Sequence, residues 1–173
     1  ESYSNLGNAY KARGELTKAI SYYEKALNLN PNHAETHNNI GIALQNQGNL
    51  LSAIKHCRKA ITIKPNFAEA YNNLGNALKE NGDLADSIRC FQQAIGLKSN
   101  YAEAYWNLSN VQLLNGDYSS GWKNYEWRWK LIDVKKPHAS AKIPKWNGLI
   151  RPKEKILVIS EQGIGDTIQY MRY

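Results

Sequence analysis

The chain has 173 residues, a net charge of +7, and only two Phe and one Met. Its length would suit one ordinary domain, with Tyr, Ala, Leu and Ile as its main apolar residues. No apolar run approaches the length of a membrane span and no signal peptide opens the sequence, so we expect neither an integral membrane protein nor a secreted one. A cytoplasmic location is the resulting prediction.

A spacing of 34 residues organises most of the sequence. Glycine recurs at this interval in two columns, and other small or apolar residues keep the same register. The columns are Gly7, Gly41 and Gly75; Gly14, Gly48, Gly82 and Gly116; Leu6, Ile40, Leu74 and Leu108; and Ala26, Ala60 and Ala94. We predict that each 34-residue repeat folds as one pair of helices. We expect first helices near 2–13, 34–47, 68–81 and 102–115, and second helices near 16–29, 50–63, 84–97 and 118–131.

Each column has a physical explanation. We expect the first glycine column, continued by Ser109, to face small residues of the second helix so that the two helices approach closely; these are Ala19, Ala53, Ser87 and Gly121. The second glycine column should end each first helix with a positive φ, which glycine adopts at little cost. Pro31 and Pro65 should end the second helices and hold Asn30 and Lys64 in an extended conformation.

This period and pattern resemble the tetratricopeptide repeat. The resemblance implies an all-α, right-handed superhelical solenoid of four helix pairs, at 1–33, 34–67, 68–101 and 102–131. A solenoid buries its apolar stripes between neighbouring repeats and has no central core, so its function is expected on a surface. The last repeat departs from the pattern, since Asp133 stands where the next proline would be and Arg128 replaces the packing alanine.

Asparagines mark the surface of greatest interest. In this kind of repeat the first helices line the concave side, and there one column is asparagine in all four repeats: Asn5, Asn39, Asn73 and Asn107. Further asparagines widen the row: Asn8, Asn38, Asn72, Asn76 and Asn110. A side-chain amide both donates and accepts hydrogen bonds, so such a row can pair with the backbone of an extended peptide. The alternative is hydrogen bonding between helices within the stack.

A carboxylate also recurs near the start of each first helix, at Glu1, Glu35, Glu69 and Glu103. We attribute it to the favourable position of an anion at a helix N-terminus rather than to ligand contact. The stretch from Ala70 to Lys79, AYNNLGNALK, resembles the repeats of O-linked N-acetylglucosamine transferases. In that family an asparagine ladder holds protein substrates by their backbone, and the resemblance implies this role for Asn5, Asn39, Asn73 and Asn107.

Charge is uneven along the chain. Residues 1–122 hold 11 basic and 10 acidic residues, whereas residues 123–155 hold 10 and 3. Tryptophans lie close by, at Trp106, Trp122, Trp127, Trp129 and Trp146, and such a combination can bind nucleic acid. We favour a simpler interpretation. Trp122, Tyr125, Trp129 and Ile132 share one helical face that docks onto something else, and residues 132–154 form a solvated basic linker.

The sequence changes character after the linker. Residues 155–160 form an apolar, β-branched run that predicts a buried parallel strand, followed by a loop with Gly163 and Gly165 and the start of a helix. Such a loop can offer backbone N–H groups to a phosphate or nucleotide. With the tryptophan-rich segment before it, this end resembles bacterial proteins in which tetratricopeptide repeats precede a glycosyltransferase B-fold domain, similar to heptosyltransferases. The resemblance implies that Asp166 would be the general base for an acceptor hydroxyl.

Two hypotheses of function follow. The first is an interaction scaffold that binds an extended peptide or protein on its asparagine-lined face. The second is the substrate-recruiting arm and opening strand of a bacterial glycosyltransferase whose catalytic domain lies mostly beyond this chain, with residues 155–173 as its truncated first strand–loop–helix unit. As it stands the chain is not expected to be a working enzyme.

Other expectations concern metals, thiols and assembly. His33 and His37 are one helical turn apart, but no third ligand is nearby, so neither a metal site nor a cofactor is expected. Cys57 and Cys90 are expected to be buried, reduced thiols remote from one another. Residues 155–173 could be disordered, pack on the tryptophans, or exchange with a second copy to form a homodimer; an ordered tail is favoured.

Overall fold

A computed structural model describes residues 2–131, and within them the chain is all-helical. There are eight α-helices and a final 3₁₀ helix: α1 (Ser2–Ala12), α2 (Leu16–Leu29), α3 (Ala34–Asn46), α4 (Leu50–Ile63), α5 (Ala68–Glu80), α6 (Leu84–Leu97), α7 (Ala102–Leu114), α8 (Tyr118–Tyr125) and the 3₁₀ helix (Glu126–Lys130). Odd-numbered helices are the first helices of the four repeats and even-numbered helices the second. The first seven agree with the predicted bounds to within one residue.

The eighth helix was predicted to run to residue 131, and this was wrong: the α-helix ends at Tyr125 and the chain continues as a 3₁₀ helix. Side-chain packing accounts for the tighter turn. The Trp127 ring stacks on Tyr105, with centroids 3.9 Å apart, and the guanidinium of Arg128 lies 4.3 Å from the ring centroids of both Tyr125 and Trp129. The predicted continuous helical face is therefore interrupted after Tyr125.

The turns within repeats follow the prediction. The second glycine column has positive φ throughout, at Gly14 (77°), Gly48 (78°), Gly82 (90°) and Gly116 (82°). An L-residue with a side chain seldom adopts this conformation. Glycine therefore allows each first helix to reverse direction within three residues.

The turns between repeats are also alike, with or without proline. Asn30 (φ −141°, ψ 89°) and Lys64 (φ −132°, ψ 86°) precede Pro31 and Pro65, as expected for residues before proline. Lys98 has the same conformation (φ −141°, ψ 89°) although Ser99 follows it. Proline is therefore compatible with this turn but is not what produces it.

The third junction offers a stability test. We expect Ser99→Pro to raise the free energy of unfolding by about 0.4–1 kcal/mol, because proline restricts the unfolded chain while the turn already has a suitable conformation. Thermal unfolding of the variant and of Ser99→Ala, which adds no ring, measures the effect. A lower melting temperature for the proline variant would show that the third turn differs from the first two.

Two glycines of the first column, Gly7 and Gly75, make room for large side chains, whereas Gly41 makes room for the Cys57 thiol. A Cβ added at Gly7 would lie 2.4 Å from the Tyr23 ring, and one added at Gly75 would lie 2.7 Å from the Phe91 ring. Both rings are fully buried. The predicted small-residue contact was therefore incomplete: Ser87 does bond to the Gly75 carbonyl (2.7 Å), but the aromatic residue four positions later fills the space.

Gly75→Ala should consequently destabilise the stack. We expect a loss of about 1–3 kcal/mol, because the added methyl group overlaps a buried ring that has no room to move. Gly96→Ala is the matched control, since nothing lies within 4 Å of a Cβ there, and it should stabilise by about 0.5–1 kcal/mol through helix propensity. Urea unfolding of both variants gives the comparison, and equal effects at the two sites would contradict the packing.

Apolar clusters join neighbouring repeats. One cluster combines Ala53, Ile54 and Cys57 of α4 with Leu74, Ala77 and Leu78 of α5, and Cys90 of α6 packs against it. The two cysteines are free thiols, as predicted, but only Cys57 is buried and Cys90 is half-buried. They were also wrongly expected to lie apart: α5 contacts both α4 and α6 and so brings them to one cluster. Burial raises the pKa of Cys57 to about 12 and that of Cys90 to about 11, so both thiols stay protonated at neutral pH.

Within residues 2–131, no helix is long and apolar enough to span a bilayer.

Candidate functional site

The packing of the helices identifies the inner side of the stack. First helices contact their counterparts in the next repeat, in the pairs α1–α3, α3–α5 and α5–α7. Among the described helices, no such contacts link the second helices of successive repeats. First helices are therefore the more closely spaced set and line the concave side of residues 2–131, as the repeat pattern implied.

Amide hydrogen bonds connect the first helices across this inner side. Asn39 Nδ2 donates to Asn8 Oδ1 (3.1 Å), Asn73 Nδ2 donates to Asn38 Oδ1 (2.9 Å), and Asn107 Nδ2 donates to Asn72 Oδ1 (3.0 Å). Each bond joins an asparagine of the repeated column to an asparagine of the preceding repeat. Some of the asparagines therefore form hydrogen bonds between helices within the stack, which was the alternative to ligand binding.

Exposure divides the predicted site residues into two groups. Asn38 (5%), Asn72 (0%) and Asn107 (9%) are buried, so their amides serve the contacts between repeats. The other six are exposed or half-buried, and they are Asn5, Asn8, Asn39, Asn73, Asn76 and Asn110. An amide carries two N–H donors and an acceptor oxygen, so Asn39 and Asn73 retain an N–H beyond the bonds already made. The accessible group is where a ligand could bind.

Further side chains orient these amides. Among them, sequence patterns singled out only Glu103, and for its position at a helix N-terminus rather than for contact with an amide. The Tyr23 hydroxyl donates to Asn8 Oδ1 (2.8 Å), and burial raises the pKa of Tyr23 to about 12, which keeps it a donor. Lys11 Nζ lies 3.5 Å from Asn39 Oδ1. The buried Asn72 donates to Glu103 Oε1 (3.1 Å). One sequence signal for the contact of Tyr23 with α1 was available: Tyr23 follows Ala19 by four residues and so lies on the same face of α2.

The repeated glutamates lie in the first turns of α3, α5 and α7, where the helix dipole favours them. Two of them also pair with lysines that end the second helix of the same repeat: Lys64 Nζ is 2.7 Å from Glu35, and Lys98 Nζ is 3.3 Å from Glu69. The hydrogen bond from Lys64 lowers the pKa of Glu35. Glu35 is thus ionised at neutral pH, and the carboxylates of Glu35 and Glu69 are both engaged at the junctions.

The side chains of His33 and His37 do not point towards a common site. His33 Nδ1 accepts from the Thr36 backbone N–H (3.2 Å) and so caps α3. His37 Nε2 lies 3.0 Å from the Pro31 carbonyl, and its Nδ1 lies 3.2 Å from Nδ1 of His56 on α4. In residues 2–131 no group of three or more His, Cys, Asp or Glu side chains could hold a metal ion.

The His37–His56 pair predicts a dependence of stability on pH. Burial lowers the pKa of both rings. The hydrogen bond to the Pro31 carbonyl opposes this at His37, but the charges of Lys59 and His33 act with burial and the pKa of His37 stays lowered. At His56 the charges of His37 and Lys55 also act with burial. The unfolded chain therefore binds protons more readily. Stability should be complete above about pH 6.5 and should fall as the pH drops towards 5.

We expect the melting temperature at pH 5 to lie a few degrees, roughly 2–8 °C, below that at pH 7.5. His56→Gln should reduce this difference, since only one ring of the pair then remains to be protonated. His33→Asn, which keeps a capping acceptor, should reduce the difference only slightly, because His33 is the smallest of the causes that lower the pKa of His37. The same acid loss in the His56 variant and the wild type would rule out the pair as its cause.

The tryptophans described by the structure pack against the protein itself. Trp106 lies 4.8 Å from the Tyr125 ring, Trp122 meets Tyr125 edge-on at 5.4 Å, and Lys130 Nζ lies 3.5 Å from the Trp127 centroid. These contacts account for aromatic and basic residues at the end of the repeats without a nucleic-acid ligand. The predicted docking of the tryptophan face onto another surface stays a prediction.

Several predicted features lie outside the described residues. They are Glu1, the linker at 132–154 with Trp146, and the segment at 155–173 with the loop glycines Gly163 and Gly165 and the candidate base Asp166.

Family models match the helical part of the chain. A model described as "TPR repeat" matches residues 7–48 and 75–116, and models described as "Tetratricopeptide repeat" match residues 34–67 and 56–89. Together they cover the stack from the first glycine column of α1 to the turn after α7. The chain belongs to the tetratricopeptide-repeat family.

Solved structures of tetratricopeptide-repeat proteins are similar over most of the chain. A crystal structure of MamA is 29% identical, covers 73% of this chain and 74% of that chain, and has a TM-score of 0.66. A MamA fragment from Desulfovibrio magneticus RS-1 is 22% identical, with coverage of 75% and 73% and a TM-score of 0.68. The first tetratricopeptide domain of Spaghetti (RPAP3), bound to the HSP90 peptide SRMEEVD, is 21% identical, with coverage of 66% and 91% and a TM-score of 0.65.

Proposed function

We propose that this tetratricopeptide stack is an interaction scaffold that binds an extended peptide or protein segment along its inner, asparagine-lined side. The observation that carries the proposal is the group of accessible amides on the inner side: Asn5, Asn8, Asn39, Asn73, Asn76 and Asn110. Peptide backbones present one N–H and one C=O per residue, and amides complement both. The ligand would be recognised largely through its main chain.

The buried amides support this role indirectly. The bonds Asn73–Asn38 and Asn107–Asn72 fix the spacing between successive first helices, since each links side chains of adjacent repeats. A fixed spacing reduces the entropy that binding would otherwise cost, because the accessible amides are held before the ligand arrives. We infer that Asn38, Asn72 and Asn107 position the site and that the other six contact the ligand.

The fold itself is consistent with peptide binding. The RPAP3 domain of similar structure holds an HSP90 peptide, which shows that a stack of this kind can bind a peptide. The inner side of this chain is rich in neutral amides, and the carboxylates of Glu35 and Glu69 are paired with lysines. The chemistry favours contact with the peptide backbone over selection for one charge.

Asn76 and Asn110 provide the sharpest test, because among the described residues no hydrogen bond ties either amide to the protein. A peptide selected on the wild-type chain from a random display library serves as the probe. Asn76→Ala combined with Asn110→Ala should weaken its binding by about 1–3 kcal/mol, roughly 5- to 150-fold, through the loss of two or more hydrogen bonds. Calorimetric titration measures the change.

Asn28→Ala is the matched control, since Asn28 is exposed on the second helix α2, away from the inner side. It should bind the probe like the wild type. The double variant should keep its melting temperature, because alanine is the better helix former. Failure to select any peptide, or equal affinity of the double variant and the wild type, would contradict the proposal.

The second hypothesis, a substrate-recruiting arm for a glycosyltransferase, uses the same inner side to present an acceptor. Its specific residues, Gly163, Gly165 and Asp166, are outside the described range, so it remains a prediction from the sequence, as does the cytoplasmic location. No observation on residues 2–131 favours it over the scaffold.

A further inference from the structure

Three side chains on the inner side differ from the amides around them. Ile42 lies in a column that is asparagine in the other three repeats, and it is half-buried. Lys11 and Lys79 share another column with Gln45 and Leu113, and both lysines are half-buried. The amides can hold a main chain whatever its side chains are. Ile42 and the two lysines are therefore where a bound segment could be selected by its side chains.

The column of Lys11 and Lys79 borders the contact with the next first helix. Lys11 Nζ is 3.5 Å from Asn39 Oδ1 on α3, and Gln45 Nε2 donates to Glu80 Oε1 on α5 (2.8 Å). Asn39 belongs to the asparagine row, so this column lies beside the same row on the inner side. Its side chains are therefore within reach of a segment bound along the row.

Neither lysine of this column meets an acidic residue of the next helix. Gln45, which is neutral, is the member that bonds to Glu80. In the helices that follow the two lysines, the position of Glu80 is held by uncharged residues, Asn46 and Leu114. Among the described residues neither lysine forms an ion pair, and burial lowers the pKa of Lys11 because no carboxylate offsets its lost hydration. Two half-buried positive charges remain for the carboxylates of a ligand.

The spacing of the first helices sets the spacing of these charges. Packed helices lie about 8–10 Å apart, so Lys11 on α1 and Lys79 on α5 are about 16–20 Å apart, with Ile42 on the helix between them. A polyproline-II segment rises about 3.1 Å per residue with three residues per turn, so one turn of about 9 Å matches one repeat. Every third side chain of such a segment points the same way and meets these three residues in turn.

We propose that the inner side selects an extended segment in which two acidic residues flank an apolar residue, with two other residues in each interval. Lys11 and Lys79 bind the two carboxylates, and Ile42 packs against the apolar side chain. The inference rests on the proposed function, because the amides hold the main chain of the same segment. It adds which side chains the ligand carries and which conformation it adopts.

Peptides selected from a random display library on the full 173-residue chain test the pattern. They should carry acidic residues six positions apart with an apolar residue midway. Lys11→Gln and Lys79→Gln introduce the residue type of Gln45 in the same column, and Ile42→Asn introduces the asparagine of the other three repeats. All three variants should keep the wild-type circular dichroism. Each should weaken binding of the selected peptide about tenfold in calorimetric titration.

A double-mutant cycle assigns each lysine to one acidic residue of the peptide. Replacing one peptide carboxylate by its amide should remove the effect of one lysine substitution and leave that of the other. Lys55→Gln, at an exposed position of α4, removes the same charge and should bind like the wild type.

The outcomes also separate this inference from the proposed function. Selected peptides that depend on Asn76 and Asn110 but lack the pattern would overturn the inference alone, and so would equal affinity of the wild type and both lysine variants. Failure to select any peptide would overturn both.

Discussion

The close approach of the two helices of a repeat, made possible by a glycine at their contact, sets the geometry of this molecule. Gly7 and Gly75 leave space that the rings of Tyr23 and Phe91 fill completely. The helices of a pair therefore lie close together while still burying an aromatic residue, which contributes more apolar area than a contact between small residues. A close pair recurs in the other two repeats with a different side chain in the space, Cys57 at Gly41 and Leu113 at Gly121. Asparagine side chains of successive first helices then come within hydrogen-bond distance of one another.

That proximity explains why asparagine has two roles on the inner side. Where a first helix meets the next, an amide donates to an amide and the pair is buried, as with Asn107 and Asn72. Unpaired buried amides would cost free energy, so the bonds are necessary once the helices are this close. About one turn further along α5, Asn76 is only half-buried and is available to a ligand. One residue type thus stabilises the stack and forms its candidate binding surface.

Much of this arrangement could be predicted from the sequence, because a 34-residue period places each column on a known part of the repeat. Helix bounds, positive-φ glycines and the face that carries asparagine all follow from it. The period could not separate buried from accessible asparagines, since Asn72 and Asn73 are adjacent in sequence and differ only in rotation about the helix. It also could not show that Tyr105 and Trp127 stack, since that contact depends on Trp127, whose column holds Lys25, Lys59 and Gln93 in the earlier repeats.

The junctions between repeats show which interactions define the turn. Proline is present at the first two and absent at the third, yet Lys98 has the backbone conformation of Asn30 and Lys64. The second and third junctions share a different feature: Lys64 lies over Phe67 and Lys98 over Tyr101, at 4.8 and 4.7 Å, and both lysines pair with a glutamate. At the first junction His33, the counterpart of Phe67, caps α3 instead. Side-chain packing at the start of the next helix therefore stabilises the turn. Proline adds only a restriction on the conformations of the unfolded chain.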